Sequence, residues 1–439
     1  MTGYRLRGVR PYGAQPRDLH LMDGRLVRDS GPGATTIDAD GLIALPGLVD
    51  LHTHLREPGR EDAETVHTGS QAAASGGYTA VCAMPNTDPA ADTAGVVEQV
   101  WRLGRESGYA DVRPIGAVTV GRAGTRLAEL GAMADSAAQV RMFSDDGDCV
   151  SDPLLMRRAL EYVKAFDGTI AQHAQDPRLT AGAQMHEGEL AGVLGLPGWP
   201  AVAEEAIIAR DVLLAAHVGS RLHVCHVSTA GSVDVLRWAK ARGYPVTAEV
   251  TPHHLLLTED LVASYDPVYK VNPPLRSAAD VAALREGLAD GTIDAVATDH
   301  APHPVEDKEC EWAAAAMGMV GLPTALAVVH LAMVTTGLLD WAGVADRMSV
   351  RPARIAGLDA PTDADGESEP GLGGPHGGGL DVGDPANLVL YDPEADWTPN
   401  PGELAGRSRN TPYVGWTLPG SVVATFLRGK PTVLEGKLA

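Results

Sequence analysis

Histidines and acids recur in this sequence at one kind of place, the end of a short apolar run just before a turn. The densest case is Asp50-Leu51-His52-Thr53-His54-Leu55-Arg56-Glu57-Pro58-Gly59. Side chains alternate along an extended chain, so His52 and His54 point the same way, and Pro58-Gly59 stops the run just beyond them. Imidazole is a common zinc ligand, and two on one strand face suit one ion. Four further runs end alike, in Gln172-His173-Ala174, in Val224-Cys225-His226-Val227-Ser228, in Phe143-Ser144-Asp145-Asp146-Gly147, and in Ala297-Thr298-Asp299-His300-Ala301-Pro302-His303. Four histidines with two aspartates exceed what one ion takes. They are the inventory for two metal ions about 3.5–4 Å apart with a bridging carboxylate and water. Such ions lower the pKa of bound water from about 15.7 to about 7 and polarise a carbonyl. The expected chemistry is hydrolysis at a carbonyl centre, or its reverse.

Arg56 lies two residues past His54, so strand alternation aims it into the same cup. Met84-Pro85-Asn86-Thr87 ends another apolar run and puts Asn86 at its mouth. Arginine pairs bidentately with carboxylates and asparagine adds directional hydrogen bonds, so a small anionic substrate is expected. An ion pair of Arg56 with Glu57 is the competing reading. No Gly-x-Ser-x-Gly elbow, dinucleotide fingerprint or P-loop occurs, so serine hydrolysis and nucleotide chemistry have no support. Cys82, Cys149, Cys225 and Cys310 are scattered, with no Cys-x-x-Cys pair. That is the pattern of reduced thiols in a cytoplasmic protein, not of a disulfide framework or thiolate zinc knot.

These side chains meet only if their strands share one end of a closed sheet. Apolar runs at 47–54, 78–86, 111–120, 138–146, 168–175, 221–227, 245–252 and 292–299 read as eight strands. Helical patterns lie between most of them, at 62–75, 94–107, 152–165, 201–217, 230–242 and 278–289, with more near 320–336 and 341–357. Eight strand-then-helix units over roughly 250 residues predict a TIM-type (β/α)8 barrel, whose active site lies at the C-terminal ends of its strands. Short strands also read at both ends of the chain, with a hairpin turn at Asp23-Gly24. We expect residues 1–45 and 358–439 to form one small β-sandwich domain around a barrel of 46–357, with 361–379 a flexible surface loop. The chain has 439 residues, 44% hydrophobic, enough for a large core. Its 35 basic and 57 acidic residues leave a formal charge of −22, which disfavours nucleic acid and anionic membrane as partners. No apolar run approaches a membrane span, and no apolar stretch follows the arginines of residues 1–10, so no signal peptide is expected.

GLVDLHTHLREPG at 47–59, GGYTAVCAMPNTDP at 76–89, VTAEVTPHHLLLT at 246–258, YKVNPPLR at 269–276 and ATDHAPH at 297–303 together resemble the dihydroorotases of the amidohydrolase superfamily, over almost the whole chain. The resemblance implies two zinc ions per chain. His52 and His54 with Asp299 would hold the first, His173 and His226 the second, and Asp146 would bridge them. Many relatives bridge with a carboxylated lysine, but no lysine lies between Ala138 and Val150. The aspartate-bridged bacterial branch is therefore implied. Asp145 is a rival to Asp146, which is preferred for its distance from His173. Arg56, Asn86 and His303 would bind the substrate carboxylate, with His54 also at the substrate. Asn272 would contact the ring, and the backbone near Met317 and Gly318 would close the pocket. The implied reaction is reversible closure of N-carbamoyl-L-aspartate to L-dihydroorotate, with a bridging hydroxide and Asp299 as general base and acid. A hydantoinase- or allantoinase-type amidase is the rival within the fold. A non-catalytic scaffold that partners aspartate transcarbamoylase is the rival outside catalysis. A homodimer and an active complex with that transcarbamoylase remain open. Pro323 and the Gly-rich 361–379 depart from the family pattern, and Asp50, His253 and His254 receive no role.

Overall fold

The computed structural model describes residues 3–359 and 375–439. Its centre is a ring of eight short parallel strands: β1 (Leu48–Thr53), β2 (Tyr78–Ala83), β3 (Asp111–Pro114), β4 (Met142–Phe143), β5 (Thr169–Gln172), β6 (Arg221–Val224), β7 (Val246–Val250) and β8 (Ala295–Val296). β1, β2 and β3 pair in one sheet, and β4 to β8 pair in sequence order in another. Two isolated bridges join the sheets, Gly116 to Phe143 and Thr53 to His300. The side-chain carboxylate of Asp50 strengthens the second seam. It accepts from Thr298 N at 3.0 Å and Thr298 Oγ1 at 2.5 Å, and from His52 N at 3.1 Å. Asp50 thus ties β1 to the chain after β8 instead of lining the cup, and burial pushes its carboxyl up to about 7.

Small residues fill the barrel interior, among them Ala80, Cys82, Ala171, Cys225, Ala295 and Ala297. Branched residues of the opposite parity, such as Val81, Ile170, Leu222, Val224, Val250 and Val296, face the surrounding helices. That division is the period of two expected of strands buried on both faces. The helices begin where side chains cap them. Thr65 and Ser277 each complete a capping box, and Asp152 and Thr229 accept from backbone N–H groups of the first turn. All eight expected strands and the six intervening helices fall on observed elements.

The chain ends build one nine-stranded sheet. Strand Ile43–Pro46 pairs antiparallel with Leu388–Trp397, which joins the two ends of the sequence. Strand Tyr4–Pro11 bends at a register shift between Leu6 and Val9 and so passes from its partner Arg17–Met22 to Ile43–Pro46. Leu6, Val9, Leu21, Leu390 and Phe426 pack between the two halves. The loop expected at 361–379 lies outside the described residues over 361–374. Its last residues are anchored. His376 is buried, with Nε2 2.9 Å from Asp111 Oδ2 and Nδ1 3.1 Å from Thr79 Oγ1, at the N-terminal ends of β3 and β2.

Candidate metal centre and substrate cavity

The ligand candidates reach the rim by leaving regular strand geometry. Between Asp50 and Thr53, β1 carries one residue more than β2, a bulge that re-aims His52. His226 and Asp299 follow the ends of β6 and β8 in left-handed backbone, at φ 33° and 47°. Arg56 does the same at φ 62°, so a turn and not strand alternation brings it to the cup. Each such non-glycine residue costs roughly 1–3 kcal/mol, which the barrel packing must offset.

All six expected ligands converge. Asp146 Oδ1 lies 3.3 Å from His52 Nε2, 3.2 Å from His173 Nδ1 and 3.3 Å from His226 Nε2, and Asp146 Oδ2 lies 3.5 Å from His54 Nε2. Asp299 Oδ1 lies 2.9 Å from His54 Nε2 and 3.6 Å from His52 Nε2. His173 Nδ1 and His226 Nε2 are 2.8 Å apart. Every one of these residues is buried. Asp145 is spent elsewhere: its carboxylate accepts from Val118 N and Thr119 N, both at 2.9 Å, and from the Thr119 hydroxyl. Asp146, not Asp145, faces the imidazoles.

This donor set fits metal ions. His52 Nδ1 donates to Glu249 Oε1 at 2.7 Å, which leaves the Nε2 lone pair buried without a hydrogen-bond partner among the described residues. His54 Nδ1 likewise donates to Asn86 Oδ1 at 2.9 Å and turns its Nε2 lone pair toward the Asp299 carboxylate. Lone pairs crowded against carboxylate oxygens repel unless a cation lies among them. Zinc bonds of about 2.0–2.2 Å put neighbouring ligand atoms roughly 3–3.5 Å apart, close to the separations observed. Burial opposes ionisation of Asp146 and Asp299, but positive charge among the neighbouring imidazoles, whether a proton or an ion in its place, outweighs it and holds both carboxyls below the usual range. Both offer anionic oxygens at neutral pH.

Beside the cluster lies a cavity of about 230 Å³ lined by His54, Arg56, Asn86, Asp146, His173, His226, Asn272, Asp299, His303, Met317 and Gly318. Arg56 donates from Nε to Pro302 O at 3.1 Å and lies 3.4 Å from His303 Nε2. Glu57 turns away and accepts from Val66 N at 2.8 Å, so the ion pair weighed for Arg56 does not form. Burial lowers Arg56 to about 10, which still leaves a cation at pH 7. Burial, reinforced by Arg56, lowers His303 to about 3, so His303 is neutral, and its Nε2 donates to Met317 O at 2.9 Å.

Sequence reasoning missed the residues behind this wall. Glu249 on β7 orients His52 and takes a second donor, His223 Nε2, at 2.9 Å. Burial raises its carboxyl, but the two histidines outweigh that and hold it at about 2. The signal available was a glutamate inside the apolar run VTAEVTP, because a charge in a buried strand needs partners. Asn410, far along the chain, donates to Ala301 O at 3.0 Å and Gly318 O at 3.2 Å and accepts from His303 N at 3.2 Å, which fixes the rim. Nothing local in the sequence marks it. His253 and His254 are both buried; His254 Nδ1 pairs with Thr251 Oγ1 at 2.7 Å, and neither lines the cavity.

A closed parallel barrel with a histidine–aspartate cluster at the C-terminal rim defines a metal-dependent hydrolase of the amidohydrolase type. The solved L-hydantoinase (dihydropyrimidinase) of Arthrobacter aurescens superposes with a TM-score of 0.86 at 25% identity, over 100% of this chain and 98% of that one. A Dihydro-orotase-like family model matches residues 41–232. The dihydroorotase of Streptomyces coelicolor is 66% identical over 99% of both chains. That of Leifsonia xyli is 69% identical over 95% of this chain and 93% of its own, and that of Mycobacterium tuberculosis is 56% identical over 99% of both. The chain belongs to the dihydroorotase family.

Proposed function

We propose that the cavity carries out the reversible closure of N-carbamoyl-L-aspartate to L-dihydroorotate, a step of pyrimidine biosynthesis. The observation that carries this reading is the half-buried Arg56 cation, free of any carboxylate partner among the described residues, in a small cavity against the ligand cluster. In this reading His52, His54 and Asp299 would hold one zinc ion and His173 and His226 a second, with the Asp146 carboxylate available to both, two ions per chain. When bound, the ions supply an ionised water at neutral pH and polarise the amide carbonyl.

The chain's own residues do the rest. Arg56 and the amide of Asn86 hold the substrate carboxylate beside neutral His303, and Asn272 meets the ring. His54, tied to Asn86, joins substrate grip to ligand geometry. Met317 and Gly318 close the wall and limit ring size. In the hydrolytic direction Asp299 takes the proton of the attacking water and gives it to the leaving ring nitrogen; in synthesis the proton runs back.

Turnover of dihydroorotate and carbamoyl aspartate on metal-loaded protein tests the reading. Measurable rates in both directions are expected. Faster turnover of hydantoin or allantoin would favour the cyclic-amidase rival suggested by the hydantoinase likeness, and no turnover would leave only a scaffold. The same reading takes 46–357 as the catalytic barrel and 1–45 with 358–439 as its companion domain. It includes a cytoplasmic location and either a homodimer or a complex with aspartate transcarbamoylase, which sedimentation with and without that enzyme distinguishes. Among the described residues no helix is long and apolar enough to cross a membrane.

A further inference from the structure

One half-buried amide links the two halves of the site. Gln175 Oε1 accepts from His173 Nε2 at 2.7 Å and from Asn272 Nδ2 at 3.1 Å, and Gln175 Nε2 donates to Thr180 Oγ1 at 2.8 Å. One hydrogen pattern satisfies these contacts together. The Thr180 hydroxyl donates to Asp176 O at 2.9 Å and in that arrangement accepts from Gln175. That fixes Nε2 of Gln175 toward Thr180 and Oε1 toward His173 and Asn272. As a metal ligand His173 carries one ring hydrogen, which then sits on Nε2, and its Nδ1 lone pair faces Asp146 and His226. Asn272 must present Nδ2 to Gln175, because its oxygen there would meet another acceptor. Its Oδ1 is left buried, without a partner among the described residues, on a residue that lines the cavity.

We propose that Gln175 is a positioning residue that sets, through one oxygen atom, both the tautomer of His173 and the orientation of the Asn272 amide, so that Asn272 Oδ1 reads an N–H of the substrate ring. Thr180 and Gln175 pre-set His173 as a ligand before any ion binds. The same atom decides that the ring contact is an acceptor, which selects cyclic amides with a free N–H over N-alkylated ones. The inference rests on the dihydroorotate reading only for the identity of that N–H.

Gln175→Met and Gln175→Glu test it, alone and with Asn272→Ala. Methionine keeps the length of the side chain but removes the shared acceptor. KM for dihydroorotate should rise about tenfold, the scale of one lost hydrogen bond. Metal loss to a chelator, measured without substrate, should quicken about tenfold, as for other groups that orient a ligand. Glutamate keeps the acceptor and lets the Thr180 hydroxyl re-aim, so it should bring both values back to within about threefold of wild type. In the Asn272→Ala background, Gln175→Met should no longer move KM but should still speed metal loss. Wild-type KM and metal retention in Gln175→Met, or KM effects of Gln175→Met and Asn272→Ala that simply add, would overturn the inference. A wild-type protein inert toward dihydroorotate would instead fault the functional reading, and chelator loss would still decide the role at His173.

Discussion

Arg56→Met should stabilise the ligand-free protein while disabling it. Burial lowers the guanidinium to about 10, so holding the bare cation costs the fold about 3 kcal/mol. Its hydrogen bond to Pro302 O returns about 1 kcal/mol. Methionine fills a similar volume without the charge, so a net gain of about 2 kcal/mol and a melting midpoint higher by about 2–4 °C are expected. Binding moves the other way. Two charge-assisted hydrogen bonds to a carboxylate are worth roughly 3–4 kcal/mol after desolvation, which puts KM up by about 10²–10³. Metal content should stay at the wild-type value, because Arg56 touches none of the six ligands in a hydrogen bond. Calorimetry, steady-state kinetics in both directions and elemental analysis read the three effects separately. A variant that melts lower than wild type and keeps the wild-type KM would refute the assignment of Arg56 as a strained cation awaiting an anion.

Gly318→Ala places a Cβ 2.7 Å from Ala301 Cβ and 2.8 Å from His303 Nε2, at φ 144°, so the rim must shift; KM should rise at least tenfold with metal content intact, measured by kinetics beside elemental analysis. Asp299→Asn should cut kcat by about 10²–10⁴ while equilibrium binding of substrate, read by calorimetry, weakens far less. Asp111 tests the floor of the barrel: burial opposes its ionisation, but His376 and Arg428 outweigh this and hold the carboxyl well below the usual range. A lowered carboxyl stabilises the fold fully above about pH 4 and loses that share as the pH falls further, so Asp111→Asn should cost about 2 kcal/mol at pH 7 and flatten the acid limb of a denaturation series.

The barrel was legible because its signals are local and repeated. Each strand is a short apolar run ended by a turn, and helix caps such as Thr65, Asp152 and Ser277 stand next to the residues they serve. The converging histidines and aspartates were legible for the same reason, as each lies at the end of a short run, with His52 and His54 sharing one. Arg56 was found by reasoning that the structure replaces: alternation was invoked, but a left-handed turn delivers the side chain. Asp50, left without a role by the sequence, stitches the seam between β1 and the chain after β8. His376 lies in a Gly/Pro-rich stretch without apolar period, and only the fold brings it to Asp111 across 265 positions of sequence. Asn410 is an ordinary polar residue whose partners come from distant loops, and Gln175, though near His173 and Thr180 in sequence, meets Asn272 across 97 positions; no periodicity reports such a pairing.

Anomalous diffraction at the zinc edge, on crystals of the metal-loaded protein, tests the central claim most directly. Two peaks about 3.5–4 Å apart are predicted, one against His52, His54 and Asp299 and the other against His173 and His226, with Asp146 between them. No anomalous peak inside the cup of a catalytically active crystal, or a single ion that leaves His173 and His226 without a shared partner, would contradict it.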